Sequence, residues 1–299
     1  MSTGASTSDF FRSERMRRRR ATNLLVELLA VAAALLAVAV LVIVVASVAK
    51  RGAGAINIDF FTKTPTLLTF GNPPPSGIAN AIIGTAIIVG IAVLMALPIG
   101  ILAAIYLNEF APKRLANVLT LALDVLNGVP AIVIGIFVFV FLVVGHGQTA
   151  IKGGFALAIL MLPLVARSTQ EVLALVPDSL REASLALGAA KWRTTLSVVL
   201  PQTIGGIVTG ATLATARIAG ETAPLLFTTS LVGNDISTDP SKPLASLPLF
   251  IFNSAEQADP KLHEQAWGAA LVLIAFVLVV SLLARVFALR SRRRLAGER

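Results

Sequence analysis

The chain has 299 residues, of which 56% are hydrophobic and only 14% are charged, and its formal net charge is +9. Because an ordinary soluble domain carries about 25% charged residues, this composition excludes a water-soluble globule and indicates an integral membrane protein. Cysteine is absent, which excludes a disulfide framework, a thiolate metal site and a cysteine nucleophile.

The first predicted element is a basic tail that leads into a long apolar segment. Residues 1–20 carry six arginines, and we predict that this tail is disordered. The segment Leu24–Val48 is long enough to cross a bilayer, since about 20 apolar residues span the hydrocarbon core. A cleaved signal peptide has an apolar region of only about 7–15 residues, so an uncleaved helix is expected. Residues 21–77 are assigned to this helix and to an outer loop with three consecutive prolines.

Five further apolar segments predict an all-α integral membrane fold with six transmembrane helices. Spans of this length are helical because lipid offers no partner to unpaired backbone groups. The segments are Ile78–Tyr106, Val118–Val144, Phe155–Val176, Leu196–Phe227 and Ala266–Leu289. Residues 78–289 therefore form the membrane domain, and residues 290–299 form a second basic tail.

Positive charge is concentrated at the two termini and in the loops between spans two and three and between spans four and five. Short loops rich in Lys and Arg stay in the cytosol, so we predict that both termini are cytoplasmic, which requires an even number of spans. The loop between spans five and six is acidic and is predicted to face outward. This topology accounts for the net charge, and no nucleic-acid partner is expected.

The most informative stretch is the predicted cytoplasmic loop between spans four and five. Asp178 or Ser179 can cap a short amphipathic helix, and Gly188 can end it. Thr194 or Thr195 can then open the next spanning helix. The amphipathic pattern alone would also fit an ordinary re-entrant loop.

The spacing within this loop resembles the EAA signature of ABC-importer permeases: Glu-Ala-Ala, three residues, Gly, nine residues, Ile, one residue, Leu-Pro. The matching residues are Glu182, Ala183, Ser184, Gly188, Val198, Leu200 and Pro201, with Ser184 and Val198 as the only departures. The resemblance implies a type I ABC importer permease fold with a cytoplasmic coupling helix that docks on an ATPase subunit. It assigns this coupling role to Glu182, Ala183, Ser184 and Gly188.

Three other stretches resemble the phosphate-specific permeases of the Pst family, in particular the PstA-type branch. They are Gly77–Thr85, Gly128–Gly135 and Ala216–Phe227, and with the loop they extend the resemblance over residues 76–290. The resemblance implies that the cargo is inorganic phosphate.

Two arginines lie within predicted spans, and each has a glutamate four residues further on: Arg167 with Glu171, and Arg217 with Glu221. This spacing puts both members of a pair on one helix face. A charge at the bilayer centre costs about 2.5–3.5 kcal/mol on insertion scales, so it usually faces protein or a water path. We hypothesise that Arg217 meets phosphate in transit, with Glu221 holding it when the path is empty. Arg167 and Glu171 are assigned to the same substrate pathway. A static salt bridge between helices is the alternative for both pairs, and Arg167 could also snorkel to the interface.

The sequence has no Gly-Lys dipeptide and hence no P-loop, so we predict a subunit that is not an enzyme and holds no cofactor of its own. The resemblance implies that a partner ATPase binds ATP and Mg²⁺. It implies three kinds of protein partner: a second, PstC-type permease, two PstB-type ATPase subunits and an external PstS-type phosphate-binding protein. The expected location is the bacterial cytoplasmic (inner) membrane. His146 and His263 lie in separate loops, and no metal site is predicted.

Several alternatives stay open. The cargo could be sulfate or molybdate, or the Arg/Glu pairs could form the proton relay of a secondary transporter. The chain could also serve as a scaffold that senses phosphate. Gly206 and Gly210 form a Gly-x-x-x-Gly pair that could pack within the chain or against the second permease.

Overall fold

The computed structural model describes the backbone of residues 7–65, 77–229 and 236–295, and the side chains of residues 19, 20, 22–65, 77–229 and 236–286. The three prolines predicted to stiffen an outer loop, residues 73–75, lie outside the described residues. The chain divides into two units, residues 1–50 and residues 51–299. The described residues of the first unit form one helix, which belongs to α1 (Thr7–Gly52). The part of the basic tail after residue 6 is therefore helical, contrary to the predicted disorder, because it continues the helix of the apolar segment.

The second unit is all-helical in its described part. Its helices are α2 (Ile58–Thr62), α3 (Ala79–Ile105), α4 (Lys113–Gly128), α5 (Ala131–Val138), α6 (Ala150–Ala174), α7 (Asp178–Ala186), α8 (Lys191–Thr194), α9 (Leu200–Ala219), α10 (Leu225–Thr228), α11 (Leu247–Glu256) and α12 (Pro260–Leu295). Wider π-type turns extend α3 through Tyr106–Phe110, extend α5 through Phe139–Val143, and join α8 to α9 through Thr195–Val199.

Five helices in the described residues are long and apolar enough to cross a membrane, and a bent pair makes a sixth crossing if its two halves count as one. The straight spans are Thr22–Ala55, Ala79–Phe110, Ala150–Ala174, Lys191–Ala219 and Pro260–Val286. The predicted all-α fold with six spans is confirmed in this form.

The predicted third span is not a single helix. The chain bends by 95° between Lys113–Gly128 and Ala131–Val143. Val129 is extended, with φ −70° and ψ 128°, and Pro130 opens α5 with ψ 134°. A residue before proline is disfavoured in the helical region, and proline has no N–H to continue the hydrogen-bond ladder. The prediction from hydropathy therefore treated as one span two helices that are separated at Pro130.

The core forms where α3 packs against α6, with α9 against α6 and α12 against α9. Ile88, Leu157, Met161 and Val165 are fully buried there. Gly206 and Gly210 of α9 face α6: a Cβ at Gly206 would lie 2.5 Å from the Val172 side chain, and one at Gly210 would collide with the Ser168 hydroxyl. The small residues thus permit close packing within the chain, which decides between the two predicted uses of this motif.

Candidate functional site

The short helix α7 is held by polar contacts at both of its ends. Among the described residues no side chain caps its first turn, so the predicted caps Asp178 and Ser179 are wrong; Pro177 holds the cap position, and Asp178 lies inside the helix. The Asp178 carboxylate instead accepts a hydrogen bond from Nη1 of Arg181 at 3.1 Å. Pro177 suits this position because its fixed φ allows an abrupt entry into the helix.

Gly188 ends α7, as predicted. Its φ is +83°, a left-handed conformation that glycine adopts without a steric penalty. The turn brings the Ser184 hydroxyl within 2.9 Å of the Thr194 hydroxyl, which ties α7 to α8. α8 begins at Lys191, with Ala190 before it, so Thr194 and Thr195 do not open the helix as predicted. Their hydroxyls bond backward to carbonyl groups of the preceding turn.

The residues of α7 are exposed to different degrees, and none is fully buried in the described structure. Every residue of α7 in the structure is at least partly exposed, including Glu182 and Ala183, and Leu187 just beyond it is 90% exposed. This surface of α7 is therefore accessible from outside the chain.

Arg181 connects α7 to the ends of two long helices, a link that the sequence analysis missed. Its Nη2 and Nε donate to Oε1 of Glu109 at 3.0 and 3.3 Å. The same guanidinium donates to the carbonyl oxygens of Val176 at 2.6 Å and Leu173 at 2.9 Å. Glu109 follows α3, and Leu173 lies near the end of α6. A lone glutamate near the end of a predicted span was the available signal.

A second charged site lies at the end of α9. The helix ends at Ala219, not at Phe227 as predicted, so Arg217 is in the last turn and Glu221 lies beyond it. Nε of Arg217 and Oε1 of Glu221 are 4.0 Å apart, with side chains 63% and 26% exposed. The pair therefore forms across a helix end, and at this distance it is an ion pair without a hydrogen bond.

Arg217 and Glu221 line a small cleft at the bend between α4 and α5. The cleft has a volume of about 40 Å³. Its other lining residues are Leu126, Asn127, Val129, Ala131, Leu160, Leu164 and Ile218. Residues from two of the three predicted signature stretches, 128–135 and 216–227, thus meet at one place together with Asn127.

The packing of these two stretches sets the shape of the cleft. A Cβ at Gly135 would lie 2.6 Å from Cα of Pro224, so α5 and the segment before α10 touch through backbone. The rings of Phe139 and Phe227 are 6.1 Å apart and continue the contact. Bulky residues here would push Pro224, and with it the segment that carries Glu221, away from the bend.

The first signature stretch, Gly77–Thr85, has a different position. The Thr85 hydroxyl accepts a hydrogen bond from the Leu247 amide at 2.7 Å, and a Cβ at Gly84 would collide with the Ala245 carbonyl oxygen. The amides of Ala150 and Ile151 in turn donate to carbonyls of the 236–246 segment. This stretch therefore fixes the segment before α11 and does not line the cleft described above.

The predicted pairing of Arg167 with Glu171 is wrong. Nε of Arg167 lies 2.9 Å from Oδ1 of Asp124, and the Gln170 side chain donates to the Thr120 hydroxyl at 3.2 Å. Both contacts join α6 to α4. The spacing rule misled here because it considers one helix at a time, whereas Asp124 approaches from a neighbouring helix. No group of three His, Asp or Glu in the described residues could hold a metal ion.

The chain matches the family described as "Binding-protein-dependent transport system inner membrane component" over residues 96–296. It is 41% identical over 246 residues to the phosphate transport system permease protein PstA of Yersinia pestis, covering 80% of this chain and 81% of the relative. The protein of the same name from Xylella fastidiosa is 40% identical over 253 residues, which cover 82% and 85% of the two chains. In Haemophilus influenzae the relative is 38% identical over 243 residues, with coverages of 79% and 83%.

Two solved transporters have a similar fold. One is a bacterial alginate ABC transporter in complex with an alginate pentasaccharide-bound periplasmic protein, with a TM-score of 0.57, 16% identity and coverage of 89% of this chain and 94% of that chain. The other is an inward-facing MetNI methionine ABC transporter, with a TM-score of 0.56, 17% identity and coverages of 72% and 94%. At this identity the likeness supports the fold alone.

Proposed function

The chain belongs to the family of binding-protein-dependent transport system inner membrane components, and from this membership we propose that it is the permease subunit through which an ABC importer moves inorganic phosphate. The assignment of phosphate as the cargo rests on one observation. The chain is about 40% identical, over some 80% of its length, to relatives named as phosphate transport permeases. The type I importer permease fold predicted from the sequence is confirmed by the structural likeness.

The chemistry of the cleft supports an anionic cargo. Arg217 presents a planar set of N–H donors that can bind two oxygens of one phosphate at once. In the described residues its guanidinium has one loose ion pair, to Glu221, and no hydrogen bond. A phosphate entering the cleft can therefore replace Glu221 at small cost. We assign Arg217 and Glu221 to the substrate pathway, and we assign Arg167 to bracing α4 against α6 through Asp124.

The pathway is proposed to be completed by a second permease of PstC type. In an alternating-access cycle, ATP-driven closure of the ATPases would push the coupling helices together and move the spans from an inward-open to an outward-open arrangement. Phosphate would be delivered by an external PstS-type binding protein. ATP and Mg²⁺ would be bound by two PstB-type ATPase subunits, with no cofactor held by this chain.

The exposed helix α7, with Glu182, Ala183, Ser184 and the Gly188 turn, is proposed as the surface that docks on an ATPase subunit. This role requires α7 to lie in the cytosol. With the bent pair counted as one crossing, six crossings then leave both termini in the cytosol, in agreement with the arginines at both ends.

The test is uptake of radiolabelled phosphate at low external concentration, in cells that lack this gene and in the same cells with the gene restored. We expect loss and recovery of phosphate uptake, with sulfate and molybdate uptake unchanged. Unchanged phosphate uptake in the deletion, in cells without a second copy, would remove phosphate as the cargo. Phosphate uptake that depends on the proton gradient and is unaffected by ATP depletion would instead favour a secondary transporter.

A further inference from the structure

Arg181 is the most fully satisfied charged side chain of the α7 region. An arginine has five N–H donors, one on Nε and two on each Nη atom. Five hydrogen bonds leave this guanidinium, to Glu109, Leu173, Val176 and Asp178. A planar group bonded in this way holds its acceptors in one plane and at fixed distances.

The acceptors belong to different parts of the molecule. Glu109 lies in the π-type turn that follows α3, Leu173 and Val176 lie at and after the end of α6, and Asp178 lies in α7 itself. The Glu109 side chain is only 5% exposed, and its Oε1 also accepts from the Asn108 amide at 2.9 Å. A buried carboxylate is tolerated only when it is paired, so Glu109 depends on Arg181.

Apolar packing contributes little to holding α7 in place. The described structure shows no fully buried residue in α7. Its polar links are the Ser184–Thr194 contact, which leads only to α8, and Arg181, which leads to α3 and α6. Those two helices pack on each other in the core, and α6 also packs on α9, which carries Arg217.

We propose that Arg181 is a positioning residue that transmits movement of α7 to the spanning helices. Its hydrogen bonds to Glu109 and to the carbonyls of Leu173 and Val176 hold the ends of α3 and α6 together. This inference rests on the proposed function, in which α7 is the surface moved by the ATPases. A displacement of α7 then moves the ends of both helices as one body, and the core carries the displacement to the cleft.

Two carboxylates that accept from the same guanidinium provide a matched pair for the test. Glu109 is 5% exposed and joins Arg181 to α3, whereas Asp178 is 89% exposed and lies in the same helix as Arg181. Glu109→Gln and Asp178→Asn each remove one negative charge and keep the side-chain shape. Only the first weakens the link between helices.

The experiment uses the full transporter complex in liposomes with phosphate-loaded binding protein, and it measures phosphate imported per ATP hydrolysed. We expect this ratio to fall roughly tenfold in Glu109→Gln, within the usual range of coupling between sites, and to stay within about twofold of wild type in Asp178→Asn. Arg181→Lys should resemble Glu109→Gln, because the three donors on one ammonium nitrogen cannot replace the five donors of the planar guanidinium. ATPase subunits should co-purify normally with each variant.

If Glu109→Gln and Asp178→Asn imported the same amount of phosphate per ATP while the wild-type complex stayed coupled, the proposed role of Arg181 would be wrong. The proposed function would not be affected. If the wild-type complex showed no phosphate-dependent ATP hydrolysis, the proposed function itself would fall and this inference with it.

A Glu109→Cys/Arg181→Cys double variant covers the case in which Glu109→Gln fails to assemble. The chain has no cysteine of its own, so the only thiols in this subunit are the two introduced ones. Joining them with a short bifunctional thiol reagent should restore the ratio if the link is mechanical. Cross-linked complex that stays as poorly coupled as the reduced form would overturn the inference.

Discussion

Two arginine–glutamate pairs in the described part of the chain differ in almost every physical respect. Arg181 and Glu109 are 3.0 Å apart, with side chains 17% and 5% exposed. Arg217 and Glu221 are 4.0 Å apart, with side chains 63% and 26% exposed. The first pair belongs to a set of five hydrogen bonds, and the second is a single ion pair in the described structure.

The difference matches two kinds of work. Removing one partner of a buried pair costs about 3–5 kcal/mol, because the other charge is left without compensation. An exposed pair contributes about 0–1 kcal/mol, so its partners can separate and recombine cheaply. The buried pair is therefore suited to hold helices together, and the exposed pair is suited to exchange one anion for another.

The largest effect is expected from Arg217→Ala. Loss of two charge-assisted hydrogen bonds to phosphate, each contributing about 1.5–3 kcal/mol, removes about 3–6 kcal/mol and should lower uptake more than 100-fold. The thermal unfolding midpoint should be unchanged, because the pair with Glu221 adds little stability. Radiolabelled uptake and a thermal melt of purified protein measure the two quantities. Normal uptake by correctly inserted protein would exclude Arg217 from the pathway.

Gly135→Ala should affect both uptake and stability, unlike Arg217→Ala. Its Cβ would lie 2.6 Å from Cα of Pro224, and overpacking of this kind costs about 1–3 kcal/mol. We expect a lower melting midpoint and an uptake reduced about tenfold, because the segment that carries Glu221 must shift. Gly128→Ala is the control, since a Cβ there meets no described atom within 4 Å. Equal behaviour of the two variants would show that the packing of α5 does not shape the cleft.

Thr85→Val tests a fixed polar contact that involves no charge. The buried hydroxyl accepts from the Leu247 amide, and leaving that N–H unpaired costs about 1–3 kcal/mol. The melting midpoint should fall and hydrogen exchange at the Leu247 amide should accelerate, while Arg217-dependent uptake persists. Thr209→Val is the comparison, because that exposed hydroxyl bonds only within its own helix. Unchanged exchange at Leu247 would contradict the contact.

The smallest effect concerns Asp239, a carboxylate that is hydrogen-bonded and yet fully exposed. Hydrogen bonds from the Ser241 hydroxyl and amide lower the pKa of Asp239 below its usual value of 3.8. A lowered pKa means stability that is present above pH 3.8 and is lost as the pH falls through the lower value. Asp239→Asn should therefore shift the melting midpoint slightly at neutral pH and not at all in strong acid. A large shift of the melting midpoint at neutral pH would contradict this expectation. It would show that hydrogen bonds to an exposed carboxylate can stabilise the fold strongly without burial.

The sequence predicted those features that depend on neighbours along the chain. The apolar lengths gave the spans, and Gly188 marked the end of α7 because a left-handed turn favours glycine. The bend at Pro130 was also readable, since the residue before a proline resists the helical region. It was overlooked because a hydropathy window averages across it.

Contacts between distant parts of the chain could not be read in this way. Arg181 and Glu109 are separated by 72 residues. Arg167 forms its ion pair with Asp124 on α4 and not with the glutamate on its own helix. The spacing rule did bring Arg217 and Glu221 together, although Gly220 ends the helix between them. Burial decides that the Arg181–Glu109 pair is held firmly and the Arg217–Glu221 pair is not. Burial in turn depends on tertiary packing.

The bend at Pro130 has a consequence for how the subunit fits a bilayer. The segment Ala131–Val143 has thirteen residues and is about 20 Å long, whereas the hydrocarbon layer is about 30 Å thick. Thinning the lipid around such a short helix costs fractions of a kcal/mol per ångström, and over the whole gap this amounts to a few kcal/mol. A protein neighbour removes that cost. Hydrophobic mismatch should therefore make this chain more stable beside a protein neighbour than alone in the membrane.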